Sequence, residues 1–193
     1  MSLASLAPDA AFLEGKLRLS CFPVRHRGTE SLGYRFETVA RRHLNADRLA
    51  ELGVPPGPLR AQLAAGQSVM LPDGRRIEPD MVRGSPAAGA SVAIVGDAEE
   101  VDSLIALVRG ADALVIEATF LKADAALAAE CGHLTAGEAG RLAAESNIGA
   151  LYLTHISGRY DPADIASEAA RLFPNVSVVN DFDRVSVTVA LRG

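Results

Sequence analysis

From residue 91 to about residue 179 the sequence alternates short apolar runs with amphipathic stretches, and nothing else in it narrows the possible folds so far. The runs at 91–95 (SVAIV), 113–116 (ALVI), 151–154 (LYLT) and 176–179 read as buried strands, being brief, β-prone and bounded by Gly, Asp or charged residues. Between them, residues 99–108, 121–130, 135–146 and 162–173 carry helical spacing. Strands that alternate with helices make a layered α/β domain. Its core must be aliphatic, because 49% of residues are hydrophobic, 5% are aromatic and Trp is absent. At 193 residues the chain can bury one substantial core.

The same composition limits what the chain can do. A formal charge of −5 gives no global attraction to nucleic acid, so any RNA contact needs a local basic patch. Cys21 and Cys131 make neither a zinc motif nor a disulfide framework, and read as small buried hydrophobes in a reducing compartment. No apolar run reaches the ~20 residues of a membrane span, and no secretion signal is visible. A cytoplasmic protein is expected.

Ahead of the α/β stretch, residues 16–24 and 32–38 read as two strands whose short link implies antiparallel pairing. Residues 39–52 carry Leu44, Leu49 and Leu52 at helical spacing, with Asn45 or Asp47 as a cap, and predict a helix. Gly53-Val54-Pro55-Pro56-Gly57-Pro58 stops it, residues 59–65 resume helical character, and Asp73-Gly74 turns a hairpin spanning residues 69–77. The span 40–84 has few bulky apolar residues and many Arg, Pro and Gly, so it reads as an insertion between residues 1–39 and 85–193. A last strand is expected at 184–191.

Four residues concentrate the chemistry. His26, Asp97 and His155 each follow a strand, and His133 sits on a Gly-flanked link between helices. Open α/β sheets place their sites at such strand ends. Imidazole and carboxylate together suit zinc and similar divalent ions. Asp97 reads equally well as a cap for the helix that follows, and His133 as a loop histidine in solvent. His43, in the basic insertion, reads as solvated.

Seven segments, in order, carry a resemblance: Val24-Arg25-His26 with Leu32-Gly33-Tyr34-Arg35-Phe36; Leu52-Gly53-Val54-Pro55-Pro56-Gly57-Pro58-Leu59; Leu71-Pro72-Asp73-Gly74-Arg75; Gly96-Asp97; Glu117-Ala118-Thr119-Phe120; Gly132-His133-Leu134-Thr135; and Leu153-Thr154-His155-Ile156-Ser157-Gly158-Arg159-Tyr160. Together, over about residues 12–182, they resemble ribonuclease Z, the tRNA 3′-end endonuclease of the metallo-β-lactamase superfamily. The resemblance implies an α/β fold that is the C-terminal half of a metallo-β-lactamase αββα sandwich, one mixed sheet with flanking helices, plus an inserted arm at 40–84. It implies His26, Asp97 and His155 as ligands in a two-zinc centre. It also implies His133 as the group protonating the leaving 3′ oxygen, and Glu117 as the carboxylate orienting His133. The arm would clamp precursor tRNA through Arg41, Arg42, Gly57, Pro58, Arg75 and Arg76, with Arg48 and Arg60 adding phosphate contacts; a solvated face is the alternative for these arginines.

The departures are specific. The superfamily's HxHxDH motif occurs nowhere in the chain, Ala98-Glu99-Glu100 follows Asp97 where the family has Thr then Arg, and Ile116 replaces the histidine that opens His-Glu-Ala-Thr. The expectation is therefore weak or absent zinc binding and no nuclease activity by the chain alone. Its orphan sheet face would be covered by a second copy in a homodimer or by a separate N-terminal half. The alternatives are an RNA-binding module without catalysis and a degenerate, self-associating paralogue.

Overall fold

The structure, a computed structural model, describes residues 11–14, 16–39, 41–87 and 89–190; the side chains of 11–14, 41, 86 and 87 lie outside the described set. It divides into two compact units, one made of the segments up to Thr38 and from Ala90 onward, the other of Val39–Gly89.

The larger unit opens with β1 (Ala11–Glu14), β2 (Leu17–His26) and β3 (Thr29–Thr38). β2 and β3 pair antiparallel along their whole length, from Leu17 opposite Thr38 to His26 opposite Thr29, as the short link between them predicts.

The smaller unit contains β4 (Arg41–Leu44), α1 (Ala46–Glu51), α2 (Pro58–Ala64), β5 (Val69–Met70), β6 (Arg76–Ile77), α3 (Pro79–Val82) and β7 (Arg83–Ala87). The helix expected over 39–52 is halved. Asn45 caps it, its side chain accepting the Arg48 N–H at 3.0 Å. Residues before an N-cap leave the helix, and Arg41–Leu44 instead pairs with β7. The expectation of little apolar material is also corrected, for Leu49, Val54, Leu63, Val69, Leu71, Ile77 and Val82 form a core with none more than 5% exposed. Scattered singly between Pro, Gly and Arg, these residues show no period in the sequence, yet short elements gather them.

The larger unit then resumes with β8 (Ser91–Ile94), α4 (Leu104–Val108), β9 (Ala113–Glu117), a 3-10 turn (Lys122–Asp124), α5 (Ala125–Cys131), α6 (Ala136–Glu145), β10 (Ala150–Thr154), α7 (Pro162–Ala170) and β11 (Val176–Val178). One mixed seven-stranded sheet results, in the order β1-β2-β3-β8-β9-β10-β11. β3 joins β8 antiparallel, while β8 to β11 run parallel. Ala93, Leu114, Ile116, Leu151 and Leu153 are fully buried in one cluster with Leu104 and Val108 of α4, Leu142 of α6 and Ile165 of α7. The opposite face carries Tyr34, Ile94, Val115 and Tyr152, which pair directly across β3, β8, β9 and β10 and so share one side. Ile94 there is 39% exposed.

Two expected elements differ. The helix over 99–108 keeps only Leu104–Val108, because the acidic residues ahead of it serve other contacts: Glu99 N–H donates to the Arg25 carbonyl, Glu100 accepts the Ser103 N–H, and Asp102 pairs with Arg141 at 2.8 Å. The strand expected at 184–191 is absent from the described residues 184–190, and residue 191 lies outside them. Alternation there marks a β-prone backbone with no ladder to join; the Ala190 N–H goes to the Asp112 carboxylate at 2.8 Å.

Helices α6 and α7 approach closely at Gly140, where a Cβ would lie 2.7 Å from the Ala169 carbonyl oxygen. The neighbouring atom is backbone and cannot yield as a side chain would. Gly140→Ala is expected to destabilise the protein by roughly 1–3 kcal/mol, read as a lower melting temperature. An unchanged melting curve would show that the two helices part without cost.

Candidate metal centre

The parallel register decides where the site lies. Val92 pairs with Ala113, and Ala113 with Ala150, so β8, β9 and β10 end level with one another. Asp97, Glu117 and His155 thus reach the carboxyl edge of the sheet together. β2 runs the other way relative to β3 and delivers His26 to the site, held there by the Glu99 N–H bond to Arg25 and the Arg27 N–H bond to the Glu99 carboxylate at 2.6 Å. His133 arrives from the end of α5, where Gly132 (φ +73°) stops the helix in the left-handed region. A Cβ on Gly132 would also lie 2.5 Å from Arg27 Cγ, so both conformation and space call for glycine.

Glu117 is 1% exposed and fully used. Its Oε1 accepts the Ala98 N–H at 2.8 Å, and its Oε2 accepts the Thr119 hydroxyl and the Leu134 N–H at 3.3 Å. His133 Nδ1 lies 2.9 and 3.1 Å from the two oxygens. A carboxylate only accepts, so this nitrogen carries the proton and Nε2 keeps its lone pair. His26 follows the same rule, since its Nδ1 donates to the Gly132 carbonyl at 2.9 Å. His155 Nδ1 faces Thr119 Oγ1 at 3.0 Å and Asp97 Oδ1 at 3.4 Å. Holding one ring nitrogen and offering the other is how proteins prepare histidine for a metal ion.

The structure brings Asp97, His133 and His155 into a group whose ligand atoms all lie within 4.8 Å of one another, a geometry able to hold a metal ion. His26 is not in that group, though its ring centre is 5.4 Å from that of His133, which is in turn 5.2 Å from that of His155. Asp97 caps no helix; its side chain is 41% exposed and turned to His155. His133 is no free loop residue, at 18% exposure and paired with Glu117. The imidazole and carboxylate set fits a borderline divalent ion such as zinc.

Sequence reasoning missed Thr119 as a member of the site, although it lies two residues beyond Glu117; it is 8% exposed, and its hydroxyl also lies 2.9 Å from the His155 carbonyl oxygen. Phe120 was also missed, and its ring centre is 6.3 Å from that of His133 and 6.4 Å from that of Tyr160. Burial, then the hydrogen bond its hydroxyl donates to Asp124, pushes Tyr160 above the usual phenol range. A cleft of about 560 Å³ adjoins the site, bordered by His155, Ser157, Tyr160, Val178 and Asn180.

In the smaller unit, the basic residues singled out in the sequence are engaged locally. Arg42 pairs with Asp80, Arg48 with Glu51, Arg75 with Asp73 and Arg76 with Glu78. Arg60 donates to the Val54 carbonyl at 2.7 Å, and the Arg41 side chain lies outside the described residues. Gly57 (φ +125°) precedes Pro58, the first residue of α2. His43 is exposed.

The protein is thus a mixed sheet with helices on one face and a carboxylate–histidine cluster at its strand ends, the architecture of a metallo-β-lactamase-type fold. Residues 56–156 match the beta-lactamase superfamily domain, and the chain belongs to that superfamily. It resembles ribonuclease Z in particular: that of Bradyrhizobium sp. (strain ORS 278) is 51% identical over 187 residues, covering 97% of this chain and 62% of the relative. The chain spans about three fifths of the length of the curated relatives it matches. Among solved structures, the metallo-beta-lactamase fold protein YhfI from Bacillus subtilis superposes with a TM-score of 0.58 at 20% identity, covering 90% of this chain and 50% of its own. Human tRNase Z, short form, gives 0.53 at 21% identity, covering 92% of this chain and 46% of its own. Both share the fold. No helix among the described residues is long and apolar enough to cross a membrane.

Removing the Glu117 charge while keeping its shape tests the arrangement. Glu117→Gln replaces one acceptor oxygen with a donor facing N–H or O–H groups, and is expected to cost about 1–3 kcal/mol. The melting temperature should fall by several degrees, and an unchanged value would refute the carboxylate's structural role.

Proposed function

We propose that this chain supplies part of a zinc-dependent phosphodiesterase site of the ribonuclease Z type, acting at the 3′ end of precursor tRNA. The observation that carries the reading is the cluster itself: Asp97, His133 and His155 bring ligand atoms within 4.8 Å of one another, with Nδ1 of His133 held by Glu117 and Nδ1 of the neighbouring His26 by the Gly132 carbonyl. Asp97, His155 and His26 would hold metal, and His133, held at Nδ1–H by Glu117, would in its imidazolium form pass the proton on Nε2 to the leaving 3′ oxygen. Zinc, when bound, would supply Lewis-acid polarisation of the phosphate and of water. Glu117 fixes which ring nitrogen of His133 faces the substrate, and the adjoining cleft gives RNA a way in.

The departures from the family pattern do not favour a degenerate paralogue. Ala98 is fully buried and contributes its backbone N–H to Glu117, which any residue except proline would supply. Ile116 is fully buried in the core. Neither change removes a group from the cluster described above.

A site of this kind is completed by HxHxDH, which supplies further histidines and an aspartate and is absent from this sequence. The half-exposed face of Tyr34, Ile94, Val115 and Tyr152 is the surface we assign to a polypeptide bearing that motif. The chain alone is expected to leave precursor tRNA uncut and to bind zinc weakly, and cleavage should appear when a separate segment bearing HxHxDH is added. Robust cleavage by the chain alone would overturn the incompleteness, and no cleavage by an assembled pair would overturn the function. Sedimentation tests the face: a stable homodimer at micromolar concentration would assign it to a second copy instead.

In the smaller unit, exposed ion pairs are worth little, typically 0–1 kcal/mol, so phosphate can displace the carboxylates from Arg42, Arg75 and Arg76. Replacing those three with Arg41, by Ala, is expected to weaken tRNA binding and flatten its salt dependence. An unchanged salt slope would leave them as a solvated face. Gly57 and Pro58 would shape the RNA-facing turn of that clamp.

A further inference from the structure

Thr119 has a hydroxyl with one proton to give, yet it faces three groups. Glu117 Oε2 accepts from it, the His155 carbonyl oxygen lies at 2.9 Å, and His155 Nδ1 lies at 3.0 Å. Carboxylate and carbonyl oxygens only accept. Were Nδ1 also an acceptor, one proton would have to serve three lone pairs, and two would be left facing an oxygen. A proton on Nδ1, donated to Oγ1, answers one of these contacts and leaves the hydroxyl proton to be shared between Glu117 Oε2 and the His155 carbonyl alone. Asp97 Oδ1, an acceptor on the same side, lies at 3.4 Å, too far to fix the ring in place of the Thr119 contact.

His155 itself sits at φ +54°, in the left-handed region that residues with a side chain rarely enter. It is the residue at which β10 has ended and the chain turns away, and the turn is held from the other side by the Ser157 N–H bond to the Thr119 carbonyl. Thr119 therefore meets His155 at its carbonyl and at its ring, and holds the turn that follows through Ser157.

We infer that Thr119 is a positioning residue: it fixes His155 as the Nδ1–H tautomer, leaving Nε2 free for a metal ion, and links that ring through Glu117 to His133. One hydroxyl thus ties a metal ligand to the proton-donating pair. The inference rests on the reading of this cluster as a metal centre, but the tautomer is measurable without metal.

The test uses the metal-free, nitrogen-15-labelled chain at alkaline pH, where long-range proton–nitrogen spectra distinguish the two neutral tautomers of each histidine. The native chain should show His155, His133 and His26 as Nδ1–H. Thr119→Val, which keeps the shape and loses the hydroxyl, should move His155 toward Nε2–H while His133 and His26 stay unchanged. Thr119→Ser should restore the native pattern. Zinc alone, titrated into the same samples, should perturb His155 at a midpoint about tenfold higher in Thr119→Val, the lower end of what outer partners of a ligand contribute. An unchanged His155 tautomer and zinc midpoint in Thr119→Val would overturn the assignment, as would a Thr119→Ser chain that is folded yet behaves like the Val variant. If zinc perturbs none of the three histidines, the metal reading fails, while the metal-free tautomer still decides the role of Thr119.

Discussion

The Glu117 carboxylate is the group on which the rest of the site depends. A buried charge without partners costs several kcal/mol, and at 1% exposure this one has almost no water. Its donors come from separate places: Ala98 after β8, Thr119 just beyond β9, and His133 with Leu134 after α5. Each loop is thereby pinned to one anionic centre, and none can drift without leaving a lone pair unanswered. The penalty for breaking the network exceeds the gain from any single bond in it. Such asymmetry suits a site that must hold several side chains at fixed separations before any ligand arrives.

Sheet register and this carboxylate act together. Register alone brings the ends of β8, β9 and β10 level, but leaves the following loops free to diverge. The hydrogen bonds to Glu117 convert level strand ends into converging side chains. Beyond them, the Arg27–Glu99 and His26–Gly132 bonds close the ring from the antiparallel side of the sheet. The mixed character of the sheet therefore serves the site: parallel strands supply Asp97, Glu117 and His155 from one edge, and the antiparallel pair β2–β3 brings His26 alongside.

How far the sequence discloses this depends on how local the deciding interaction is. Compact apolar runs such as SVAIV and LYLT announce strands because burial between layers is written in neighbouring residues. His26, Asp97, His133 and His155 draw notice in the sequence because three follow strands and one sits on a Gly-flanked link, whereas Glu117 is singled out only by the family resemblance. Thr119 is not legible in the same way, since a threonine two residues past a carboxylate is ordinary until the fold places His155 against it. The shortened helix at Leu104–Val108 has the same origin: Glu99 and Asp102 look like acids of a first helical turn, and only the folded chain directs them to Arg27 and Arg141. The core of the smaller unit was hidden for another reason. Seven apolar residues dispersed among Pro, Gly and Arg follow neither helical nor strand period, so their convergence depends on turns rather than on pattern.

The geometry also bears on how roles divide among the histidines. His133 Nε2 has one lone pair, and it cannot both bind a metal ion and deliver a proton to a leaving oxygen. Within this chain the compact group is Asp97, His133 and His155, so a single ion held here alone would draw on the very nitrogen the acid needs. Additional histidines and a carboxylate from an HxHxDH segment would satisfy the metal without His133. They would shift its seat toward His26, Asp97 and His155 and leave the His133–Glu117 pair to its proton. An HxHxDH segment would therefore do more than add affinity. Under the proposed function it would separate two roles that compete for one nitrogen, while Glu117 already holds His133 by Nδ1.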